Sequence, residues 1–290
     1  MSDTFQSEVW RSTVRRAMHG QLANLGYPPV PVTVFRRSLL NIALTRWPMG
    51  TIGTEAMRCL PDGELYIETR RADIDLLRTT APAHLIPQSA GRNLHVGSRR
   101  PETRIEELGS WSLDQLSPAV RRNVRKVSEC GVDIDPATAM DAAAMFAIYR
   151  QTIVRNGGKL RYPERWFHEL AQASRTSAGI HLYRAFHEKT LVGFMAVIDA
   201  DDTAHYLHGG VNRLHSSTRA MDGLFAEAIG EARDRGMRVF NFSSSPPDQH
   251  GLVRYKEKWG GSTTDHVTFT TATSYRGSAA LAFLGAFRQL

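Results

Sequence analysis

The chain has 290 residues, 42% of them apolar and 22% charged, which is an ordinary globular composition with room for two modest domains or one large one. Its net charge of +7 fits polyanionic partners (nucleic acid, nucleotide phosphates, an acidic membrane surface) and equally fits a solvated basic surface. Two cysteines, Cys59 and Cys130, exclude a disulfide framework and match no zinc spacing. No apolar run reaches the roughly 18 residues of a membrane span, and the first ten residues lack a signal pattern, so a cytoplasmic protein is expected.

Apolar positions Phe5, Val9, Val14, Met18, Leu22 and Leu25 predict a helix over 5–25, stopped by Gly26 and Pro28. Strands are expected at VPVTVFR, at 39–47 and at 64–69, the last entered through Pro61-Asp62-Gly63. Residues 72–80 read as a short helix. Residues 81–110 read as loop, because Pro82, Pro87, Gly91, Gly97 and Pro101 interrupt them. A boundary is expected near residue 110.

The second part is more regular. Ser117, Pro118 and Gly131 punctuate a helix with a Val120, Val124, Val127 stripe. VDID is a short strand. Residues 138–156 and 163–174 are helices. Residues around a Glu188–Thr190 turn form a hairpin, and TAHYLHGGV adds a third strand. Residues 216–236 are a helix, MRVFNFSSS a strand, DQHGLVRYKEKWG a helix, and TTDHVTFTTATS a last strand. AALAFLGAF, 279–287, reads as a terminal packing helix. The order over 131–274 is therefore β α α β β β α β α β.

That order resembles the GNAT N-acyltransferase fold, an α/β arrangement with a mixed, mostly antiparallel sheet flanked by helices. Three local patterns resemble Fem-type aminoacyltransferases more narrowly. They are the Ser117 to Lys126 pattern Ser-x-x-x-Arg-Arg-Asn-x-x-Lys, the step EARDRGMRVFNFSSS, and Gly251-Leu252 followed by Tyr255-Lys256-x-x-Trp259-Gly260. The likeness covers residues 111–274. Residues 1–110 match only as a shortened, degenerate GNAT-like half on the acceptor side, with 111–290 as the transfer domain. Fem-type enzymes carry an aminoacyl group from aminoacyl-tRNA to an amine, usually of a cell-wall precursor, and relatives act in peptide-antibiotic assembly. This chain is shorter than such enzymes and lacks the coiled-coil arm that some carry.

Aminolysis of an ester or thioester needs a neutral amine, fixed donors for the tetrahedral oxyanion and a stabilised leaving group. No covalent intermediate is required. The resemblance implies that Lys256 stands beside the reacting ester; the bland alternative is a solvated helix lysine, as expected for Lys258. Tyr255 and Trp259 are expected in the core. Asp248 or His250 would accept the amine's proton, although Asp248 reads more simply as a helix N-cap. Ser243, Ser244, His208, Gly209 and Gly210 are candidate acyl and oxyanion contacts. The two serines supply hydroxyls after a strand whose end would open onto the cleft, whereas His208, Gly209 and Gly210 end the strand that, in the fold it resembles, offers backbone N–H groups to the acyl carbonyl.

CoA-binding relatives usually carry a glycine loop that cradles pyrophosphate at a helix start. No glycine lies between Val211 and Ala220 here, so Arg213 and Arg219 remain as phosphate contacts. Arg121, Arg122, Arg125 and Lys126 suit an RNA backbone or a solvated face. His205 and His208, three apart in a strand, are expected on opposite faces and make a poor metal pair. No resident cofactor or metal is expected. The co-substrate is aminoacyl-tRNA, with acyl-CoA as the alternative donor, and a non-catalytic RNA-binding module is a third possibility.

Overall fold

A computed structural model describes residues 3–25, 30–37, 39–46, 74–83 and 94–287. The chain is α/β and forms two compact units. The first holds Met1–Met18, Thr103–Ser243 and Gln249–Thr263; the second holds His19–Glu102, Ser244–Asp248 and Thr264–Leu290.

In the first unit, helix α1 (Glu8–Met18) is followed by His19 at φ 58°, where the helix has ended. The expected helix over 5–25 is thereby corrected, since Gln21–Leu25 is strand β1. Helix α2 (Pro118–Glu129) has the expected buried stripe of Val120 and Val127, and Gly131 at φ +66° terminates it. Ser117 has extended backbone at its start but makes no side-chain cap bond. Strand β6 (Val132–Pro136), helices α3 (Ala142–Arg155) and α4 (Glu164–Ser174), and strands β7 (Ile180–His187), β8 (Thr190–Ala200) and β9 (Thr203–Val211) follow in the expected order. Glu188 and Lys189 both have positive φ, as the twist of a tight hairpin requires. Helix α5 (Ala220–Asp234) begins four residues later than expected, because residues 213–218 form a 3-10 turn and Arg219 is left-handed at φ 60°. Strand β10 (Val239–Ser244) and helix α6 (His250–Glu257) complete the series.

Strands β6, β7, β8 and β9 pair antiparallel in sequence, and β10 joins β9 in parallel. On one sheet face, Leu224, Phe225, Ala228 and Ile229 of α5 and the two valines of α2 pack with Met195 and Val197 of β8. On the other, α1 and α4 meet through Trp10 and Trp166, edge to face at 5.6 Å, and Phe167 meets Phe194 of β8 at 5.6 Å. Both tryptophans are fully buried.

In the second unit, β1, β2 (Val30–Arg37) and β3 (Leu40–Thr45) form an antiparallel series. Strand β4 (Leu76–Pro82) pairs in parallel with β3 and antiparallel with β11 (Ser262–Ala272). The helix expected at 72–80 is corrected to strand from Leu76 onward. Buried residues on both faces of β4 erase the alternation that would have marked it. Strand β5 (Leu94–Ile105) replaces part of the expected loop at 81–110; Gly97 lies where a Cβ would stand 2.8 Å from the Thr268 carbonyl, so the strand needs glycine there. Val32, Ala43, Ile74 and Leu77 form a small core, and helix α7 (Tyr275–Phe287) packs Gly277 against the Asp75 carbonyl. The strand expected at 64–69 and Cys59 lie outside the described residues.

Candidate active site

Strands β9 and β10 pair from Thr203↔Val239 to His205↔Asn241, and their register ends there. The residues just beyond form the candidate site. Asn241 turns the chain: its side-chain oxygen accepts from the Ser243 N–H at 2.7 Å, and Ser243 adopts φ 61°. The Ser243 hydroxyl then donates to the Tyr206 carbonyl at 2.6 Å, tying β10 to β9 past their last paired residues. Ser243's own carbonyl accepts from Lys256 Nζ at 2.7 Å. Lys256 is only 3% exposed. A buried ammonium is costly unless hydrogen-bonded, so this position constrains the lysine strongly.

Helix α6 carries Lys256 and is held to α5 by its other residues. Lys258 pairs with Asp222, and the Tyr255 hydroxyl donates to the same carboxylate at 3.3 Å. The Lys258 ammonium also lies over the Tyr255 ring at 3.8 Å and 5.4 Å from the Trp259 ring centre. The expectation of a solvated Lys258 is corrected: it is an ion-pair partner of a buried carboxylate. Trp259 is fully buried, as expected, and its carbonyl accepts from Trp111 Nε1 at 2.9 Å. Burial and the Asp222 charge push the Tyr255 hydroxyl far above the usual phenol range.

A bulge shapes β9. Tyr206 faces Val197 and His208 faces Ala196, so Leu207 is the extra residue. Tyr206 therefore points to the α5 side, where it meets Phe225 at 5.3 Å. His205 meets Phe5 at 6.0 Å and His208 meets Tyr162 at 5.0 Å, both on the α1 and α4 side. The expectation of opposite faces is corrected, because the bulge resets the alternation. Among the described residues, no group of three or more His, Cys, Asp or Glu is arranged to hold a metal ion.

His208 is packed among Tyr149, Tyr162, Phe167 and Phe194, and its Nε2 accepts from Trp166 Nε1 at 3.0 Å. Burial pushes its pKa down to about 3, so it is neutral with its proton on Nδ1. Gly209 and Gly210 follow. A Cβ at Gly209 would stand 2.7 Å from the Phe194 carbonyl, and one at Gly210 would stand 3.0 Å from Ile148. The Gly209 backbone also hydrogen-bonds to the buried Tyr206 hydroxyl.

Asp248 and His250 are exposed. Gln249 occupies the N-cap position of α6 and makes no side-chain cap bond, so the N-cap expectation for Asp248 is corrected. In the second unit, the Ser244 hydroxyl donates to Glu102 at 3.5 Å, and the other Glu102 oxygen stands 3.5 Å from His266 Nε2. Glu102 and His266 are both buried. Neither they nor Asp222 stand out in the sequence: residues around Glu102 read as loop, and Asp222 is a lone acidic residue in the first turn of its helix.

Among the cations, Arg122, Arg125 and Lys126 are exposed on α2, whereas Arg121 donates to the Asp114 carbonyl at 2.8 Å. Arg213 and Arg219 are exposed at the start of α5.

Residues 118–257, from the start of α2 to the end of α6, match the family model described as an acetyltransferase (GNAT) domain. Among solved structures, the chain is similar to FemX, with a TM-score of 0.64 at 11% identity over 92% of both chains. It is similar to L-PGS from Bacillus licheniformis, with a TM-score of 0.57 at 9% identity over 99% of this chain and 98% of that one. The C-terminal domain of a putative lysylphosphatidylglycerol synthetase from Agrobacterium fabrum gives 0.55 at 11% identity, over 99% of this chain and 92% of that one. No curated protein sequence matches. At these identities the likeness is one of fold, and the fold is GNAT-like.

Proposed function

We propose that this chain, which carries a GNAT-fold acyltransferase domain, transfers an aminoacyl group from aminoacyl-tRNA to an amine on a small molecule, peptide or cell-wall precursor. The observation that carries the reading is the buried Lys256 ammonium, held by the Ser243 carbonyl beyond the last paired residues of β9 and β10. An attacking amine forms the new C–N bond and gives up a proton, which ends on the ribose oxygen of the tRNA as that oxygen departs. Lys256 supplies a charged donor to the oxyanion that develops, and the ester bond to the tRNA then breaks. Neither Ser nor Cys need form a covalent intermediate. The exposed cations of α2, with Arg213 and Arg219, serve the tRNA backbone. Residues 1–110 serve the acceptor and 111–290 the transfer.

Acyl-CoA is the second reading, favoured by the acetyltransferase description of the matching family model. Two features weigh against it. The first turn of α5, where a pyrophosphate would bind, already holds the Asp222 carboxylate. The hydroxyl of Ser243 bridges β10 to the Tyr206 carbonyl.

The test is mass spectrometry of products from the purified protein with pooled aminoacyl-tRNA and a panel of amines, run beside acyl-CoA donors. Product that requires intact RNA supports the reading. Product from acyl-CoA alone moves the chain to the second reading. RNA binding without product from any donor leaves it a binding module.

A further inference from the structure

We propose that Asp222 is a positioning residue for the transfer reaction: by holding Lys258 and Tyr255 it sets the rotation of α6 and thereby the place of the Lys256 ammonium. This rests on reading Lys256 as the cation that faces the reacting ester.

Helix α6 has eight residues and a Gln249 N-cap without a side-chain bond, too little to hold its own orientation. Three ties fix it. One is the bond from Lys256 to Ser243, which is the working contact itself. The second is the bond from Trp111 to the Trp259 carbonyl, just past the helix end. The third is Asp222, which takes both Tyr255 and Lys258. Tyr255 and Lys258 are three apart and share one helix face. Lys256 stands about 100° around the axis from Tyr255, toward β10. A rotation of about 20° would move a lysine head, about 8 Å from the axis, by roughly 3 Å, enough to lose its bond to Ser243. Displacements of about 1 Å at a reacting centre cost on the order of 100-fold in rate.

Asp222 is itself immobile. It is 4% exposed, and its N–H donates to the Arg219 carbonyl at 2.8 Å. A carboxylate in the first turn of α5 also faces the positive end of that helix. Its charge has a second effect. It compensates the Lys258 ammonium at the end of α6.

The experiment compares Asp222→Asn, Lys258→Met and Lys256→Gln with the unmodified full chain. Nitrogen-15 NMR of the lysine ammonium groups reads the Lys256 environment without substrate, with Lys256→Gln giving the assignment. Turnover is measured with pooled aminoacyl-tRNA and a pool of amino acid amides. Asp222→Asn is expected to shift or broaden the Lys256 signal and lower kcat at least 10-fold, with KM for the tRNA pool within 2-fold. Lys258→Met is expected to do the same, which keeps the test alive if Asp222→Asn does not fold. An unchanged Lys256 signal with kcat within 2-fold in a folded variant overturns the positioning role. If Lys256→Gln abolishes turnover at the same time, the reading of Lys256 stands while this inference falls. If Lys256→Gln keeps full turnover, the reading falls and takes this inference with it.

Discussion

The Trp166 indole N–H donates to His208 Nε2 at 3.0 Å, which places the neutral imidazole's proton on Nδ1. Burial holds the folded pKa down to about 3, well below the ordinary value near 6.5. Below pH 6.5 the unfolded chain therefore takes up a proton that the folded chain refuses. Stability should fall by about 1.4 kcal/mol per pH unit from this group as pH drops from 6.5 toward 3. Denaturant titrations of the chain and of His208→Gln across that range check it. Equal pH slopes for the two proteins would show that His208 is charged in the folded state.

Lys256 stands in a different balance. Lys256→Met removes a buried charge but leaves the Ser243 carbonyl without its donor, so the fold should lose only about 1–2 kcal/mol. Turnover should drop on the order of 100-fold, the usual cost of losing one oxyanion donor. Thermal unfolding and single-turnover aminoacyl transfer, measured on the same preparation, separate the two effects. A large loss of stability with proportionate loss of activity would make Lys256 a structural residue.

The helices and the hairpin were legible because their signals are local: the valine stripe of α2, Gly131 at its end, and the Glu188–Lys189 turn all act within a few residues. The order of elements over 131–274 followed from them. What was not legible depends on distant partners. The bulge at Leu207 is set by pairing with β8, and it turns His205 and His208 onto one face. Strand β4 is buried on both faces, so its residues carry no period. Strand β5 runs through Gly97 and Pro101, which read locally as breakers. At the candidate site, the aromatic-Lys-x-x-aromatic-Gly pattern pointed to Lys256. Asp222 is linked to Lys258 across 36 positions, and no pattern short enough to see spans that distance.

Three cations of α2 offer a direct measure of RNA contact. Arg122, Arg125 and Lys126 are exposed, while Arg121 is tied to the Asp114 carbonyl. Replacing the exposed three by Gln should weaken tRNA binding and reduce the slope of log affinity against log salt by about 2–3. Arg121→Gln alone should change that slope by less than any of them. Filter binding or fluorescence titration at several salt concentrations gives the slopes. A triple variant with the parent's slope removes this helix from the RNA surface.

Asp199 tests the far end of the same sheet. Burial pushes its carboxyl up, but hydrogen bonds from His181 at 2.9 Å and from Arg235 at 2.9 Å and 3.2 Å outweigh burial and hold the pKa below the usual carboxylate value. A carboxylate with a depressed folded pKa contributes stability that is present above its unfolded pKa, about 3.9, and lost as pH falls through the folded one. Asp199→Asn should therefore cost about 3 kcal/mol at pH 7, because Arg235 is left half-buried without its bidentate partner. The gap between variant and parent should narrow as pH falls from about 3.9 toward the lower folded pKa, below which the parent too presents a neutral group to Arg235. Urea unfolding at pH 7 and near pH 3 measures the gap. A gap of the same size at both pH values would mean that the loss comes from packing, with the ion pair contributing nothing.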